Sequence, residues 1–269
     1  MSPSENVLMA SVAVIDSVTV QPRRNPATGL TVRPTLGTQT GFEALEQAVL
    51  ELEPGRSQEI EIGAVEETLF VLAGRGSIHV GDQVHELEPE VGLYLPPGST
   101  FALENPGPET LRLIAVRVPN PEPSGQAVSS SEPAVRRLAD QELESATTER
   151  EFRIVADPDS GLRSATHFVG YIPIGRAPDH FHTYDEVIYV IDGEGVMHAG
   201  DFAQALSPGA CIQLPARTVH CLENTGTEPM RVVAVFRPAG SPAAAYYPDG
   251  TPAYQAGDTE QLKRRSKDS

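Results

Sequence analysis

The sequence contains no tryptophan and only two cysteines, Cys211 and Cys221, among its 269 residues. Two cysteines cannot build the multi-disulfide framework of a small secreted domain. The first residues, MSPSENVLMASVAVIDSV, lack the basic segment and the long apolar core of a secretory signal or membrane anchor. We therefore expect a cytoplasmic protein.

Positive charge is also scarce. The chain has 20 lysines and arginines against 37 acidic residues, which gives a formal net charge of −17. Nucleic acids and anionic membranes attract positively charged surfaces, and no segment of the sequence is typical of a helix-turn-helix. We therefore expect no binding to nucleic acid or to a membrane, and a small molecule as the partner.

Proline and glycine, in contrast, are abundant, with 24 and 23 copies. Residues 41–119 alternate short apolar runs with turn residues at intervals of about 8–12 positions, the pattern of an all-β barrel or sandwich. The composition therefore favours many short strands over helices.

The stretch from Gly175 to Gly193 carries the clearest chemistry, with His180 and His182 followed by Glu186. Residues i and i+2 of a strand point to the same face, so both imidazoles project together and Glu186 can join them. His220 follows 38 positions after His182. Nitrogen and oxygen donors of this kind suit a divalent transition metal.

These segments resemble the paired motifs of the cupin superfamily. Four residues separate Gly175 from His180, where the family motif has five. Arg217 stands at a glycine position of the second motif. The resemblance implies small antiparallel β-barrels of the jelly-roll (double-stranded β-helix) type, with the ligands pointing inward on one metal. The remaining landmarks of the second motif are Gly209, Pro215, His220 and Asn224.

An internal repeat extends this resemblance to the two-domain bicupins. Glu67 and Glu186 lie 119 positions apart, and the same offset aligns about seventy residues of the two halves. The further matches include Gly74 with Gly193, His79 with His198, Leu95-Pro96 with Leu214-Pro215, and Asn105 with Asn224. The repeat predicts two tandem barrels from one duplicated unit.

The first copy lacks the metal ligands. The offset aligns His180, His182 and His220 with Glu61, Gly63 and Phe101, so that only Glu67 matches a ligand. One carboxylate does not hold a transition metal. We expect a metal-free, mainly structural first barrel whose interior is filled by the Phe101 ring.

These features divide the chain into five segments. We predict an amino-terminal arm over 1–40, a barrel over 41–119, a linker over 120–150, the metal-binding barrel over 151–240 and a tail over 241–269. The arm is a candidate contact with another subunit, and the linker includes a candidate short helix near 138–145. Exposed sheet edges and these arms favour a homodimer, or a pseudo-dimer of barrels within one chain.

Four further residues are candidates for the substrate pocket. Tyr184 lies between ligands, and Arg217 would bring a guanidinium to the barrel mouth. His167 and Tyr171 share one face of a predicted strand over 163–173, and they line the pocket only if that face points inward. An apolar inward face would favour aromatic or polyketide substrates, and a polar one sugars or small acids.

The ligand set predicts one divalent transition metal per chain and does not distinguish Fe, Mn, Ni, Zn and Cu. The resemblance implies, as the leading hypothesis, a mononuclear dioxygenase-type oxidoreductase acting on a small oxygenated molecule. Two alternatives stay open: a non-redox isomerase, cyclase or hydrolase, and a non-catalytic ligand-binding or sensor protein. We expect metal binding to fail below about pH 6, as the imidazoles become protonated.

Overall fold

The computed structural model describes residues 11–121, 133–146 and 149–253. Within these ranges the chain forms 23 strands and four 3₁₀ turns, and no α-helix is present. No helix in this part of the chain is long and apolar enough to cross a membrane. The predicted all-β fold is confirmed.

The strands are numbered in chain order. The first twelve are β1 (Ala13–Asp16), β2 (Arg23–Arg24), β3 (Thr31–Leu36), β4 (Glu46–Leu52), β5 (Gly55–Arg56), β6 (Ile60–Glu61), β7 (Glu66–Ala73), β8 (Gly76–Val80), β9 (Gln83–Leu87), β10 (Val91–Leu95), β11 (Thr100–Asn105) and β12 (Leu111–Val118). The others are β13 (Ala134–Arg137), β14 (Glu144–Ser145), β15 (Glu151–Ala156), β16 (Thr166–Ile172), β17 (Gly175–Arg176), β18 (Asp185–Asp192), β19 (Gly195–Ala199), β20 (Phe202–Leu206), β21 (Ala210–Leu214), β22 (Cys221–Asn224) and β23 (Met230–Arg237).

The first barrel consists of two sheets. A seven-stranded sheet in the order β13-β10-β7-β12-β4-β3-β2 packs against a five-stranded one, β5-β11-β8-β9 with β6 beside β11. Alternate residues of each strand point into a shared apolar core, as the two-residue period of a strand requires. That core includes Leu69, Leu93 and Leu113 from the large sheet and Ile78 and Leu103 from the small one. Each such buried side chain stabilises the fold by about 1.5–3 kcal/mol.

The second barrel repeats this arrangement. Its seven-stranded sheet has the order β1-β21-β18-β23-β16-β15-β14, and its four-stranded sheet has the order β17-β22-β19-β20. The core between them includes Phe168, Ile188 and Ile212 from the large sheet and Met197 and Leu222 from the small one.

The two barrels exchange their first strands. β1 pairs with β21 of the second barrel, with Ala13 opposite Gln213, and β13 pairs with β10 of the first barrel, with Arg137 opposite Val91. The arm that was predicted to reach another subunit therefore adds a strand within its own chain, and the predicted linker supplies a strand of the first sheet. The candidate helix near 138–145 is a 3₁₀ turn, Leu138–Asp140, followed by β14.

The repeat is longer than the sequence offset indicates, and it contains two one-residue shifts. Matched strands start 121 positions apart for β1 and β13, 120 for β3 and β15, and 119 for β7 and β18. The shifts change one assignment, because Ile60 pairs with Phe101 as His180 pairs with His220. Ile60, rather than Glu61, therefore occupies the place of His180.

The large sheets of the two barrels pack back to back. Their contact is an apolar cluster that includes Phe70 and Val116 from the first barrel and Val187 and Val235 from the second. His167 is buried in this contact, with its ring 6.1 Å from that of Phe70. One continuous apolar layer therefore joins the two barrels.

Candidate metal centre

Three histidines of the second barrel come together through a short backbone bridge. The amide of His180 donates to the carbonyl of His220 at 3.0 Å, and the amide of His220 donates to the carbonyl of His180 at 2.8 Å. His182, two residues beyond His180, projects to the same side, as the strand period predicts. The imidazole rings are 4.6 Å apart for His180 and His220, 5.2 Å for His182 and His220, and 5.0 Å for His180 and His182.

Backbone carbonyls orient all three rings. The Nδ1 atoms of His180, His182 and His220 lie 3.0, 2.8 and 2.9 Å from the carbonyl oxygens of Pro178, Ala244 and Thr218. A carbonyl only accepts a hydrogen bond, so each Nδ1 carries the proton and each Nε2 keeps its lone pair. The three donor atoms lie within 4.8 Å of one another. Such a donor set fits a transition metal, and the hydrogen bonds fix the tautomer that coordination requires.

Burial keeps these imidazoles neutral. It lowers the pKa of His180, lowers the pKa of His182 to about 3, and lowers that of His220 well below its ordinary value. The neighbouring imidazoles lower the last two pKa values further. Protonation of the ligands therefore requires a lower pH than the value of about 6 expected from the sequence.

Glu186 lies on β18 and is 4% exposed. It lines the same cavity as the three histidines, although its carboxylate is not part of their group of mutually close donor atoms. Burial raises the pKa of Glu186 to about 8, and the nearby Arg150 guanidinium opposes that shift. Its role as the fourth ligand stays a prediction, which its position beside the imidazoles supports.

A cavity of about 80 Å³ opens beside these groups. The inward face of β16 consists of Phe168, Gly170 and Ile172, so this strand presents an apolar wall. The other apolar residues that line the cavity are Ala146, Phe152, Ile188, Leu222, Val232, Ala234, Pro242 and Ala245. By the criterion derived from the sequence, this lining favours a substrate with an apolar body.

Arg150 is a site residue that the sequence did not reveal. It lines the cavity, and its Nη2 donates to the carbonyl of Leu222 at 2.9 Å. Burial lowers the pKa of Arg150, and the neighbouring Cys221 and Glu186 oppose the shift. The guanidinium stays charged, since arginine does not lose its proton in proteins. It lies at the end of a polar segment without periodicity, so no sequence signal marked it.

The four predicted pocket residues differ in their placement. Tyr184 and Tyr171 line the cavity, and the Tyr184 ring stacks between those of His182, at 4.6 Å, and Phe236, at 3.9 Å. Arg217 is exposed and is not among the residues that line the cavity. His167 lies on the opposite face of β16, between the two barrels. Tyr171 shares that odd-numbered face and packs against the cluster between the barrels, and it borders the cavity near the end of the strand.

The backbone of Arg217 nevertheless forms the turn for which the family motif has a glycine. Its φ of 65° lies in the left-handed region that favours glycine, and its amide donates to the carbonyl of His182 at 2.7 Å. Gly98 holds the matched position of the first barrel with a φ of 80°, and its amide donates to Gly63 at 2.6 Å. Arginine therefore adopts a glycine conformation here, and its guanidinium, expected at the barrel mouth, lies outside the cavity lining.

Comparisons with known proteins agree with this architecture. A family model described as a cupin domain matches residues 48–117 and 167–236. No curated protein is significantly similar to this chain in sequence.

Among solved structures, the protein Ylba from E. coli superposes with a TM-score of 0.72 at 13% identity, covering 85% of this chain and 91% of that chain. A Pseudomonas aeruginosa protein named as glyoxylate-induced gives a TM-score of 0.74 at 20% identity, with coverages of 87% and 92%. A mutant of Bacillus subtilis oxalate decarboxylase gives 0.68 at 15% identity, with coverages of 88% and 79%. At these identities the similarity shows the fold.

Proposed function

This chain belongs to the cupin family, as two tandem cupin domains, and we propose that its second domain is a metal-dependent enzyme of dioxygenase type. Its substrate would be a small organic molecule with an apolar body and a carboxylate or another anionic oxygen group. The observation that carries the proposal is the convergence of three correctly oriented imidazoles on a cavity with apolar walls.

In this proposal, His180, His182 and His220 hold one divalent metal through Nε2, and Glu186 contributes a carboxylate. When bound, such an ion supplies Lewis acidity and, for Fe or Mn, redox chemistry at its remaining coordination positions. The three imidazoles are already neutral and oriented before a metal binds, so binding requires little reorganisation of these side chains. The apolar walls exclude bulk water from the reacting groups.

Arg150 supports the choice of an anionic substrate. A guanidinium binds carboxylates with two parallel hydrogen bonds, and an apolar surrounding strengthens them. Arg150 lines the same cavity as the histidines, and a bound divalent metal would add positive charge that offsets the carboxylates of Glu151 and Glu186 in the lining. Benzoate and pyruvate, which join an apolar body to a carboxylate, are therefore reasonable first probes. Oxalate, an acid named in one of the structural comparisons, and glyoxylate are matched probes without that body.

Metal content and oxygen uptake test the proposal together. The full chain, purified without a metal-affinity tag, should contain nearly one Fe, Mn, Ni or Cu, and His180→Ala and His220→Ala should lose it. An oxygen electrode should then detect uptake with one of the four probes. Turnover that continues without oxygen, or activity of a zinc-loaded protein, would replace this proposal by the isomerase, cyclase or hydrolase alternative. Metal or probe binding without turnover would favour a sensor.

The homodimer and the cytoplasmic location stay predictions. The strand exchange inside the chain supplies the pseudo-dimer that the repeat indicated, so a second copy is not needed to complete either sheet. Light scattering coupled to size exclusion distinguishes a dimer from a monomer.

A further inference from the structure

We propose that the first barrel carries a second ligand site, which works without a metal and binds a small organic amine. A cavity of about 390 Å³ lies in this barrel, within the range of small-molecule sites, about 300–1,000 Å³. Phe101 was expected to fill the interior, and the structure shows that it does not.

The cavity occupies the place in the fold that the metal cavity has in the second barrel. Ile60 and Phe101 form its wall where His180 and His220 stand in the other domain. Both replacements are apolar and buried, so the wall cannot coordinate an ion. The other apolar residues that line it are Leu30, Val32, Pro34, Leu36, Ala48, Leu50 and Ala115.

An ion pair and a further carboxylate provide the charged part of the lining, and its uncharged polar part consists of Asn25, Thr28, Thr38, Gln39 and Gln47. The Nε of Arg117 donates to Oε2 of Glu67 at 2.9 Å, with the Glu67 side chain 3% exposed and the Arg117 side chain 41% exposed. Glu46 lines the cavity too and is the cross-strand neighbour of Arg117. Two carboxylates therefore face one guanidinium, which leaves one negative charge in excess.

Stability alone is a poor reason for this arrangement. Removing the Glu67 carboxylate from water is costly, and an ion pair with a guanidinium that is 41% exposed offsets little of that cost because solvent screens it. A cavity with an apolar wall, uncharged polar groups and one excess negative charge selects a ligand with an apolar body and a cationic N–H group, which donates to the carboxylates. A protonated alkylamine has this chemistry, and an anionic molecule of the same shape is repelled.

A series of probes with one apolar body tests the site. We expect hexylammonium to bind the full chain in isothermal titration calorimetry, and hexanoate and 1-hexanol to bind at least tenfold more weakly. Glu67→Gln, which keeps the shape and removes the charge, should weaken hexylammonium about tenfold or more. Glu46→Gln, at a half-buried position, should weaken it as well and remains informative if Glu67→Gln does not fold.

Two controls separate this site from the metal centre. Glu61→Gln removes an exposed carboxylate that does not line the cavity, so it should leave binding unchanged. His180→Ala should also leave hexylammonium binding unchanged, whatever it does to metal content. Absence of hexylammonium binding, tighter binding of hexanoate, or equal binding by both glutamine variants and the wild type would overturn the proposal.

Discussion

The two domains share one fold and differ in the charged groups that surround a matched glutamate. Glu67 faces Arg117 across the sheet, whereas Glu186 faces Phe236 at the matched position. The cation of the second cavity is Arg150 instead, and the first barrel has Leu30 at that place. Arg150 and Leu30 line their cavities, so the sheets tolerate this exchange, and the Phe236 ring packs into the apolar core of the second barrel.

A few lining positions therefore separate the candidate metal centre from a cavity that lacks its imidazole donors. His180 and His220 correspond to Ile60 and Phe101, and both pairs bridge the same two backbone segments. The scaffold therefore fixes where a side chain points, and the residue type decides whether it coordinates. Exchanging residues between the domains tests each part of this statement.

The largest expected effect comes from giving the second barrel the residues of the first. The double change His180→Ile and His220→Phe should reduce the metal content from nearly one per chain to nearly zero, because two of three nitrogen donors are lost. Inductively coupled plasma mass spectrometry measures it. His198→Ala, in the same barrel but hydrogen-bonded to Glu223 outside the cavity, is the matched control and should keep the metal. Retained metal in the double variant would place the site elsewhere.

Arg150→Leu introduces into the second cavity the leucine that the first barrel has at the matched position, Leu30. Because the guanidinium would hold the anionic group of the substrate, we expect the affinity for the most responsive of the four carboxylate probes to fall about ten- to hundredfold. Metal content should stay near the wild-type value. Calorimetric titration of the metal-loaded protein measures the affinity. Equal affinity in the variant would remove Arg150 from substrate recognition.

The metal affinity should depend on pH through Glu186. The pKa of this carboxyl is raised to about 8 in the metal-free protein, so below pH 8 it must release a proton to coordinate. The affinity should fall about tenfold for each pH unit below 8, and the imidazoles add little in this range because their pKa values are lowered.

Competition with a chromophoric zinc chelator between pH 6.5 and 8.5 measures this slope. Glu186→Gln should bind more weakly and lose the slope. An unchanged slope in Glu186→Gln would show that another group releases the proton, and it would count against Glu186 as a ligand.

Many of the differences between the two barrels could be predicted from the sequence, but not all of them. The three histidines that come together, Glu186 in the same cavity lining, and the repeat were readable because motif spacing and strand period are local properties. The face of β16 that carries His167 was not, since one residue of register reverses a strand. Exchange of β1 and β13 was also hidden, because a four-residue strand pairs with partners about 200 or 45 positions away. Arg150 was missed because it lies at the end of a polar segment without periodicity.

At the contact between the barrels, His167 of the second domain corresponds to Gln47 of the first, 120 positions earlier in the sequence. Burial lowers the pKa of His167 to about 3, and its Nδ1 has no hydrogen-bond partner among the described residues. The unfolded state therefore binds a proton below pH 6.5 that the folded state does not bind. Stability is lost as the pH falls from 6.5 towards 3, by roughly 2 kcal/mol at pH 5.

His167→Gln should remove this component, so that the difference in unfolding free energy between pH 7 and pH 5 shrinks by that amount. Urea unfolding at the two pH values measures it. His85→Gln, at a solvent-exposed hydrogen bond, is the control and should follow the wild type. If His167→Gln were as acid-sensitive as the wild type, another group would have to bind the proton.

The smallest expected effect concerns the turn that both motifs share. Arg217 adopts a φ of 65°, which costs a residue other than glycine about 1–2 kcal/mol, while Gly98 adopts its φ of 80° without strain. Arg217→Gly should therefore raise the free energy of unfolding by up to about 1 kcal/mol, once the larger chain entropy of glycine is subtracted. The reverse change, Gly98→Arg, should lower it by a similar amount.

Since the Arg217 side chain lies outside the cavity, metal content and probe affinity should not change in Arg217→Gly. Loss of either would mean that the guanidinium contributes to the site after all, and that the two turns are alike only in their backbone.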